Sequence, residues 1–253
     1  MSTVHNSKIV GKVLFEYDTL PSTNSYAIEL LNREKPQEGT VISARYQSAG
    51  RGQMGTTWES NPGENLMLSV ILRPVFLALS DQFKLNKAVS LAVCKMIGEY
   101  FPGKVSIKWP NDIYLDDRKI CGILIQNGVQ GKKLQWSVVG IGININQEVF
   151  GTHLHKVTSF VRESSGKFDL PEIRDRLFTC LDHYYHLLVH NPDPLDKEYI
   201  NALYRLGIPT AFYNTRGEQF TGTIKKVDIQ GRLVVEDDNQ QLLHFNLKEI
   251  IYS

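Results

Sequence analysis

Four short stretches of this chain combine charge with glycine in ways that could do chemistry. The first runs Gly50-Arg51-Gly52-Gln53-Met54-Gly55-Thr56-Thr57-Trp58. Its glycines let the backbone turn tightly and approach a ligand. Arg51 supplies a planar cation suited to carboxylate or phosphate, and Trp58 can close over an apolar group. On glycine spacing alone, the stretch reads more readily as a Gly-rich surface loop. It is not a P-loop, because no Gly-Lys-Ser/Thr opens a helix, and not a dinucleotide fingerprint, because a strand follows it. The second is Lys108-Trp109-Pro110-Asn111-Asp112. A cation and a carboxylate flanking a proline bend suit a polyphosphate with its Mg²⁺, and equally suit a hairpin corner with an internal ion pair. The third is Lys119-Ile120-Cys121-Gly122-Ile123-Leu124-Ile125. Here a partly desolvated lysine opens an apolar strand, and a glycine lets a ligand lie against the backbone; an ordinary strand-end lysine is the plainer reading. In the fourth, Val139-Gly140-Ile141-Gly142-Ile143-Asn144, two glycines on one strand face clear a groove, or allow tight packing of sheet on helix.

The elements that must position these residues follow from periodicity. Pro21-Ser22-Thr23-Asn24 supplies N-cap candidates for a helix with Tyr26, Ala27, Leu30 and Leu31 on one side. Leu14–Tyr17 and Thr40–Ala44 read as strands, and Asn65–Leu72 as a buried one. Asp81 to Tyr100 carries a helical stripe. The stretches Val105–Trp109, Asp112–Leu115, Lys119–Ile125 and Leu134–Ile145 are strands whose links are too short for crossover helices, so neighbours must be antiparallel. Leu170 to His190 is a helix, broken at 191–194, and Leu195–Leu206 looks helical up to Gly207. From Ile208 the period becomes two, with turn signals at Asn214–Gly217, Gln230-Gly231 and Asp237–Asn239. That pattern predicts a small appended β-barrel.

Composition excludes several classes. A 253-residue chain, 42% hydrophobic and 22% charged with net charge +1, describes an ordinary globular protein. No basic field or polybasic run invites nucleic acid or anionic lipid. Met1 to Gly11 lacks the apolar run of a signal peptide, and no apolar run is long enough for a bilayer span. Cys94, Cys121 and Cys180 read as buried thiols in a reducing cytoplasm. No Cys/His spacing resembles a zinc site; among the histidines, His153, His155, His183, His186 and His190, the last three lie on or beside a helix and are expected to pack or be solvated.

Taken together, Gln47 to Gly52, Lys108 to Asp112, Lys119 to Leu124 and Gly140 to Asn144, preceded by Ser22-Thr23-Asn24, resemble the biotin protein ligases in order and type. The resemblance runs from about Phe15 to Asn146. It implies an α+β fold: a class II aminoacyl-tRNA synthetase-like catalytic domain (1–206) with a mixed, largely antiparallel sheet, then a small SH3-like β-barrel (207–253). It further implies ATP-dependent conversion of biotin to biotinyl-5′-AMP and transfer to a lysine of a biotin carboxyl carrier protein domain. By resemblance, Ser22, Thr23, Asn24 and Gln47 bind the ureido end of biotin. Gly50, Arg51, Gly52 and Gln53 belong to the ligand-covering loop, and Gly122, Leu124, Gly140 and Gly142 to the pocket floor. Lys119 bridges biotin carboxylate and α-phosphate, with Arg51 and Lys108 as further catalytic cations. Lys108, Asn111, Asp112, Trp58 and Asn144 face the nucleotide, together with Arg51 and Gln53, and Asp112 faces Mg²⁺ through it.

Two departures stand out. Gln53 and Thr56 replace arginines frequent in the family's loop, so the adenylate is expected to escape faster than from an Arg-rich relative. Gln126 stands where a glutamate is common. Because the matched region begins near Phe15, no helix-turn-helix and no sequence-specific DNA binding are expected. The chain is expected to be a monomer or a homodimer. The alternatives are a lipoate–protein ligase and, in another class, a non-catalytic biotin- or adenylate-sensing module.

Overall fold

The computed structural model describes residues 9–154 and 156–253, with Met54 described by its backbone only. His155 and most of the Met1–Gly11 stretch read above lie outside the described residues. In chain order the main body runs β1 (Leu14–Leu20), α1 (Thr23–Arg33), β2 (Val41–Gln47), β3 (Leu66–Leu72), α2 (Gln82–Tyr100), β4 (Val105–Lys108), β5 (Asp112–Leu115), β6 (Arg118–Gln130), β7 (Lys133–Ile143), α3 (Phe160–Glu163), α4 (Leu170–His190) and α5 (Asp193–Asn201). Its strands form one seven-stranded sheet ordered β1-β2-β3-β7-β6-β5-β4. β1 and β2 pair in parallel across the α1 crossover. Every other pairing is antiparallel, as short connections require. The sheet is therefore mixed.

All seven residues of β3 are buried, which a strand achieves only with cover on both faces. Leu66, Leu68, Val70 and Leu72 join the main core with α2 and α4. Ile71, on the other face, packs with Ile42, Ala44 and Val138 under Ala27 of α1. Ser69, fully buried, interrupts that second apolar face. Ser22 caps α1, its hydroxyl oxygen facing the Ser25 N–H at 3.5 Å. The cap fixes the first turn of α1, with Thr23 and Asn24 buried against the sheet.

The expected Leu195–Leu206 helix is shorter and starts earlier. α5 begins at Asp193, with Pro194 in its first turn, where a missing N–H costs nothing. It stops at Asn201 because β4 claims the following backbone: Ile107 donates to the Ala202 carbonyl at 2.7 Å, and Tyr204 donates to Ile107 at 2.9 Å.

The tail forms β8 (Pro209–Asn214), β9 (Gln219–Val227), β10 (Leu233–Asp237), β11 (Leu242–Phe245) and β12 (Ile250–Tyr252). They make an antiparallel sheet ordered β11-β10-β9-β8-β12. Among the described residues no β11–β12 ladder closes it into a barrel, although Phe220 and Phe245 stack across its inner side at 5.8 Å. The β9–β10 turn hooks this sheet onto the main body. The buried Trp109 indole N–H donates to the Gly231 carbonyl at 2.9 Å. Gly231 sits at φ 84°, and a Cβ there would meet the Phe83 ring at 2.6 Å. Asp228 ties the turn by accepting from the backbone of Gln230 and Arg232 and from the side chains of Arg232 and His244. No helix among the described residues is long and apolar enough to cross a membrane.

Candidate active site

A cavity of about 280 Å³ opens between the start of α1, the β6–β7 floor and the 50–58 loop. Its floor comes from three glycines. Gly122 lies directly opposite Gly142, and Leu124 opposite Gly140. A Cβ on Gly142 would strike Trp58 at 2.6 Å, and one on Gly122 would touch it at 3.0 Å. A Cβ on Gly140 would strike the Asn24 amide oxygen at 2.2 Å. The groove expected from glycine spacing therefore exists, and it holds an indole at one end and an amide at the other.

The amide end is closed, neutral and hydrogen-bonded throughout. The Gln47 Oε1 accepts from the Thr23 backbone N–H at 2.7 Å. Asn24 Nδ2 donates to the Leu124 carbonyl at 3.2 Å and to Gln126 Oε1 at 3.1 Å. Ser69 Oγ lies 2.6 Å from Asn24 Oδ1 and 2.8 Å from Thr23 Oγ1. Ser22, Thr23 and Asn24 are each buried. Leaving such polar groups unpaired would cost about 1–3 kcal/mol apiece.

The other end is charged and open. Lys119 Nζ pairs with Asp112 Oδ1 at 2.7 Å, and each side chain keeps about a quarter of its surface exposed. The ammonium stands 5.9 Å from the Trp58 ring. Asn111 locks β5 to β6, donating from Nδ2 to the Ile123 carbonyl at 2.6 Å. Overhead, the loop is held by its own backbone. Trp58 N–H donates to Gly50 at 3.0 Å and Gly52 N–H to Thr56 at 2.7 Å. Among the described residues, the Arg51 guanidinium hydrogen-bonds only to Ser25 Oγ, at 3.5 Å. The Trp58 indole N–H is buried without a partner among the described residues, an arrangement that calls for a ligand or a water.

Most of the expected site residues therefore meet at one cavity: Ser22, Thr23, Asn24 and Gln47 at the closed end, and Gly122, Leu124, Gly140 and Gly142 beneath. Arg51, Gly52, Gln53 and Trp58 lie above, with Asn111, Asp112 and Lys119 at the open end. Three do not line it. Gly50 acts behind the loop, where a Cβ would meet the Trp58 carbonyl at 2.4 Å. Asn144 is buried and turned away, its Nδ2 donating to the Thr158 carbonyl at 3.0 Å; it holds the segment that pairs with Lys119. Lys108 is caged. Its ammonium meets the Tyr114 hydroxyl at 2.9 Å and lies between the Tyr114 and Tyr252 rings, 4.8 and 4.7 Å from their centroids. Burial pushes this ammonium below its ordinary pKa, while nearby Asp112 pulls the other way. Asp112 thus pairs with Lys119 across the strands, and the internal pair that the alternative hairpin-corner reading allowed within Lys108–Asp112 does not form.

Sequence reading missed three contributors. Ser69 stands behind the closed end, its one signal being a hydroxyl in an otherwise apolar strand. Leu247 and Lys248 reach the cavity from the C-terminal sheet, with Lys248 at φ 67°, and no local pattern announces that approach.

Residues 16–144 match the biotin/lipoate A/B protein ligase family. The chain belongs to this family. It is 32% identical to the bifunctional ligase/repressor BirA of Bacillus subtilis over 91% of its own length and 71% of that protein. It is 26% identical to the biotin–[acetyl-CoA-carboxylase] ligase of Mycobacterium tuberculosis over 87% of this chain and 83% of that one. In fold it is similar to the biotin protein ligase of Aquifex aeolicus solved with biotin and ATP. That likeness has a TM-score of 0.77 at 22% identity and covers 96% of this chain and 99% of the other. For a member of the biotin/lipoate ligase family, the loop departures now have a structural setting. Thr56 Oγ1 donates to the Gln53 carbonyl at 2.9 Å, so the two residues brace the loop. Gln126, in turn, supplies a neutral acceptor for Asn24.

Proposed function

We propose that this chain condenses biotin with ATP to biotinyl-5′-AMP and pyrophosphate, then passes the biotinyl group to a lysine of a biotin carboxyl carrier protein domain. The observation that carries this reading is the polarity of this cavity, which runs from a neutral hydrogen-bonding end to the Lys119–Asp112 pair. A cyclic urea offers two N–H donors and a carbonyl, and Ser22, Thr23, Asn24 and Gln47 can satisfy them. Leu124 and the glycine floor hold the fused rings, and Lys119 stands where carboxylate and α-phosphate must meet. Its charge lowers their repulsion and follows the charge into the transition state. The carboxylate oxygen attacks the α-phosphorus and pyrophosphate leaves. The carrier amine then attacks the acyl carbon and AMP leaves. Arg51, with Gly52 and Gln53, covers the adenylate and keeps water from the mixed anhydride. Trp58, Asn111 and Lys248 flank the nucleotide, Lys108 adds positive potential from its aromatic cage, and Asn144 acts through the Lys119-pairing segment.

Mg²⁺ is part of this reading as an ion that arrives on the nucleotide. Asp112 is the one carboxylate lining the cavity, and no cluster of three or more metal-ligating side chains occurs among the described residues. That donor set suits an ion held mainly by phosphates and water. The reading extends to a class II synthetase-like catalytic domain over 1–206 and an SH3-like domain over 207–253. It places the enzyme in the cytoplasm as a monomer or homodimer, and the near-neutral net charge supports no reading of DNA sequence.

The test is transfer of radiolabelled biotin to a carrier domain with ATP and Mg²⁺, alongside pyrophosphate release with biotin or lipoate. Label on the carrier supports the ligase. Pyrophosphate release with lipoate alone would transfer the reading to a lipoate ligase, whose dithiolane ring has no use for the amide end. Adenylate formed without transfer would leave a sensor.

A further inference from the structure

We infer that Ser69, which touches no part of the cavity surface, is a positioning residue that fixes the donor and acceptor polarity of the closed end. The inference deepens the biotin reading above and rests on it. Ser69 lies opposite Gly140 in the β3–β7 register, and Leu124 lies opposite Gly140 on the other side. Because Gly140 has no side chain, the Asn24 amide lies over it, between the Ser69 hydroxyl and the Leu124 carbonyl. That carbonyl accepts only an N–H, so Asn24 must present Nδ2 there and Oδ1 to Ser69.

Proton counting then decides the rest. Asn24 Oδ1 has no hydrogen, so its 2.6 Å contact uses the one hydroxyl proton of Ser69. The 2.8 Å contact between Ser69 and Thr23 needs a second proton, and the Thr23 hydroxyl supplies it there rather than to its longer, 3.1 Å contact with Gln47 Oε1. Two hydroxyl protons serve three contacts, and the two shorter ones take them. Thr23 Oγ1 is left with lone pairs to offer. Gln47 Oε1 is occupied by the Thr23 N–H, so Gln47 has its NH₂ to offer. The closed end thus presents acceptors at Thr23 Oγ1 and the second lone pair of Asn24 Oδ1, and a donor at Gln47. That is the complement of a urea with its two N–H groups and one carbonyl. All members of this chain of contacts are buried or partly buried, so water cannot rescue a mismatch cheaply.

The proposal distinguishes biotin from an isostere of opposite polarity. In 2-iminobiotin the urea becomes a cyclic guanidine, protonated at neutral pH, so N–H donors replace the carbonyl and meet the Gln47 donor. Calorimetry on the full chain should show strong preference for biotin over 2-iminobiotin. Ser69→Ala removes the donor to Asn24 and frees the Thr23 hydroxyl to turn toward the cavity. Biotin Kd should rise about tenfold, 2-iminobiotin Kd should change little, and the ratio between them should fall by at least about threefold. ATP affinity should stay as it was. Ser69→Thr, which keeps the hydroxyl on a strand that favours β-branched residues, should return the ratio. If Ser69→Ala does not fold, Ser69→Cys, with a much weaker donor, gives the same ratio measurement. Should both ligands weaken equally, or neither weaken, while the unaltered chain binds biotin, the inference fails alone. If the unaltered chain binds no biotin, the function reading fails and takes this inference with it.

Discussion

The two ends of the cavity are built on opposite principles. At the closed end, Thr23, Asn24 and Ser69 are buried, neutral and tied to one another and to the Leu124 carbonyl by contacts of 2.6–3.2 Å. At the open end, Lys119 and Asp112 are paired but partly exposed, and Arg51 stands exposed on a loop with one long contact. On the proposed reading, the contrast follows from what each end must handle. A neutral urea is distinguished only by where its hydrogens are, so its site must be rigid and dry. Anions change shape and charge during the reaction. Burying their cations fully would cost more than the pairing returns, so these side chains stay half in water.

Breaking the open end should have the largest effect. Lys119→Ala is expected to reduce biotinyl-AMP formation about a thousandfold, with less than about 1 kcal/mol lost from stability; pyrophosphate release and denaturant melts check the pair. At the closed end, Gly140→Ala places a methyl against the Asn24 amide oxygen. Displacing that amide should weaken biotin binding about thirtyfold, while ATP binding measured separately stays unchanged. Arg51→Ala tests whether the loop cation works by retention: release of biotinyl-AMP after rapid dilution should speed up about tenfold with no shift in melting temperature. The smallest effect belongs to a polar cluster outside both ends. Burial tends to raise the Asp228 pKa, but hydrogen bonds from the Arg232 backbone, His244 and the Arg232 side chain outweigh it and hold the carboxyl at about 2. A depressed carboxyl stabilises the fold above its unfolded value of about 3.8, and that contribution fades as the pH falls toward about 2. Asp228→Asn should therefore lower the melting temperature by about 3 °C at pH 7, and the gap should close between pH 4 and pH 2. Equal gaps at both pH values would remove the carboxylate charge from the explanation.

The open end was legible only through the order of its short local motifs: taken singly, Arg51, Asp112 and Lys119 read as loop, corner and strand-end residues, and the set together carried the resemblance. The antiparallel order of β4 to β7 was legible too, since links as short as Asp116-Asp117 leave no alternative. Ser69 was not, because its meaning depends on register with Gly140, a pairing of residues far apart in sequence. The arrival of Lys248 was hidden for the same reason. The Asn144 side chain was assigned to the nucleotide by family resemblance; it shares the parity of Gly140 and Gly142, but β7 ends at Ile143 and the Asn144 amide is spent on the Thr158 carbonyl. The end of α5 was misplaced because periodicity sees side chains and not the demand of β4 for backbone partners.

The indole hook between Trp109 and Gly231 bears on any attempt to shorten this protein. Cutting the chain after Leu206 would leave Trp109 with an orphaned N–H and uncover the Phe83 ring, against which Gly231 lies. The same cut would loosen the corner that carries Asn111 and Asp112. A fragment ending there would be a damaged body rather than a minimal catalyst, and grafting the C-terminal sheet of a relative onto it would succeed only if the incoming turn brought a glycine with its carbonyl at the same spot.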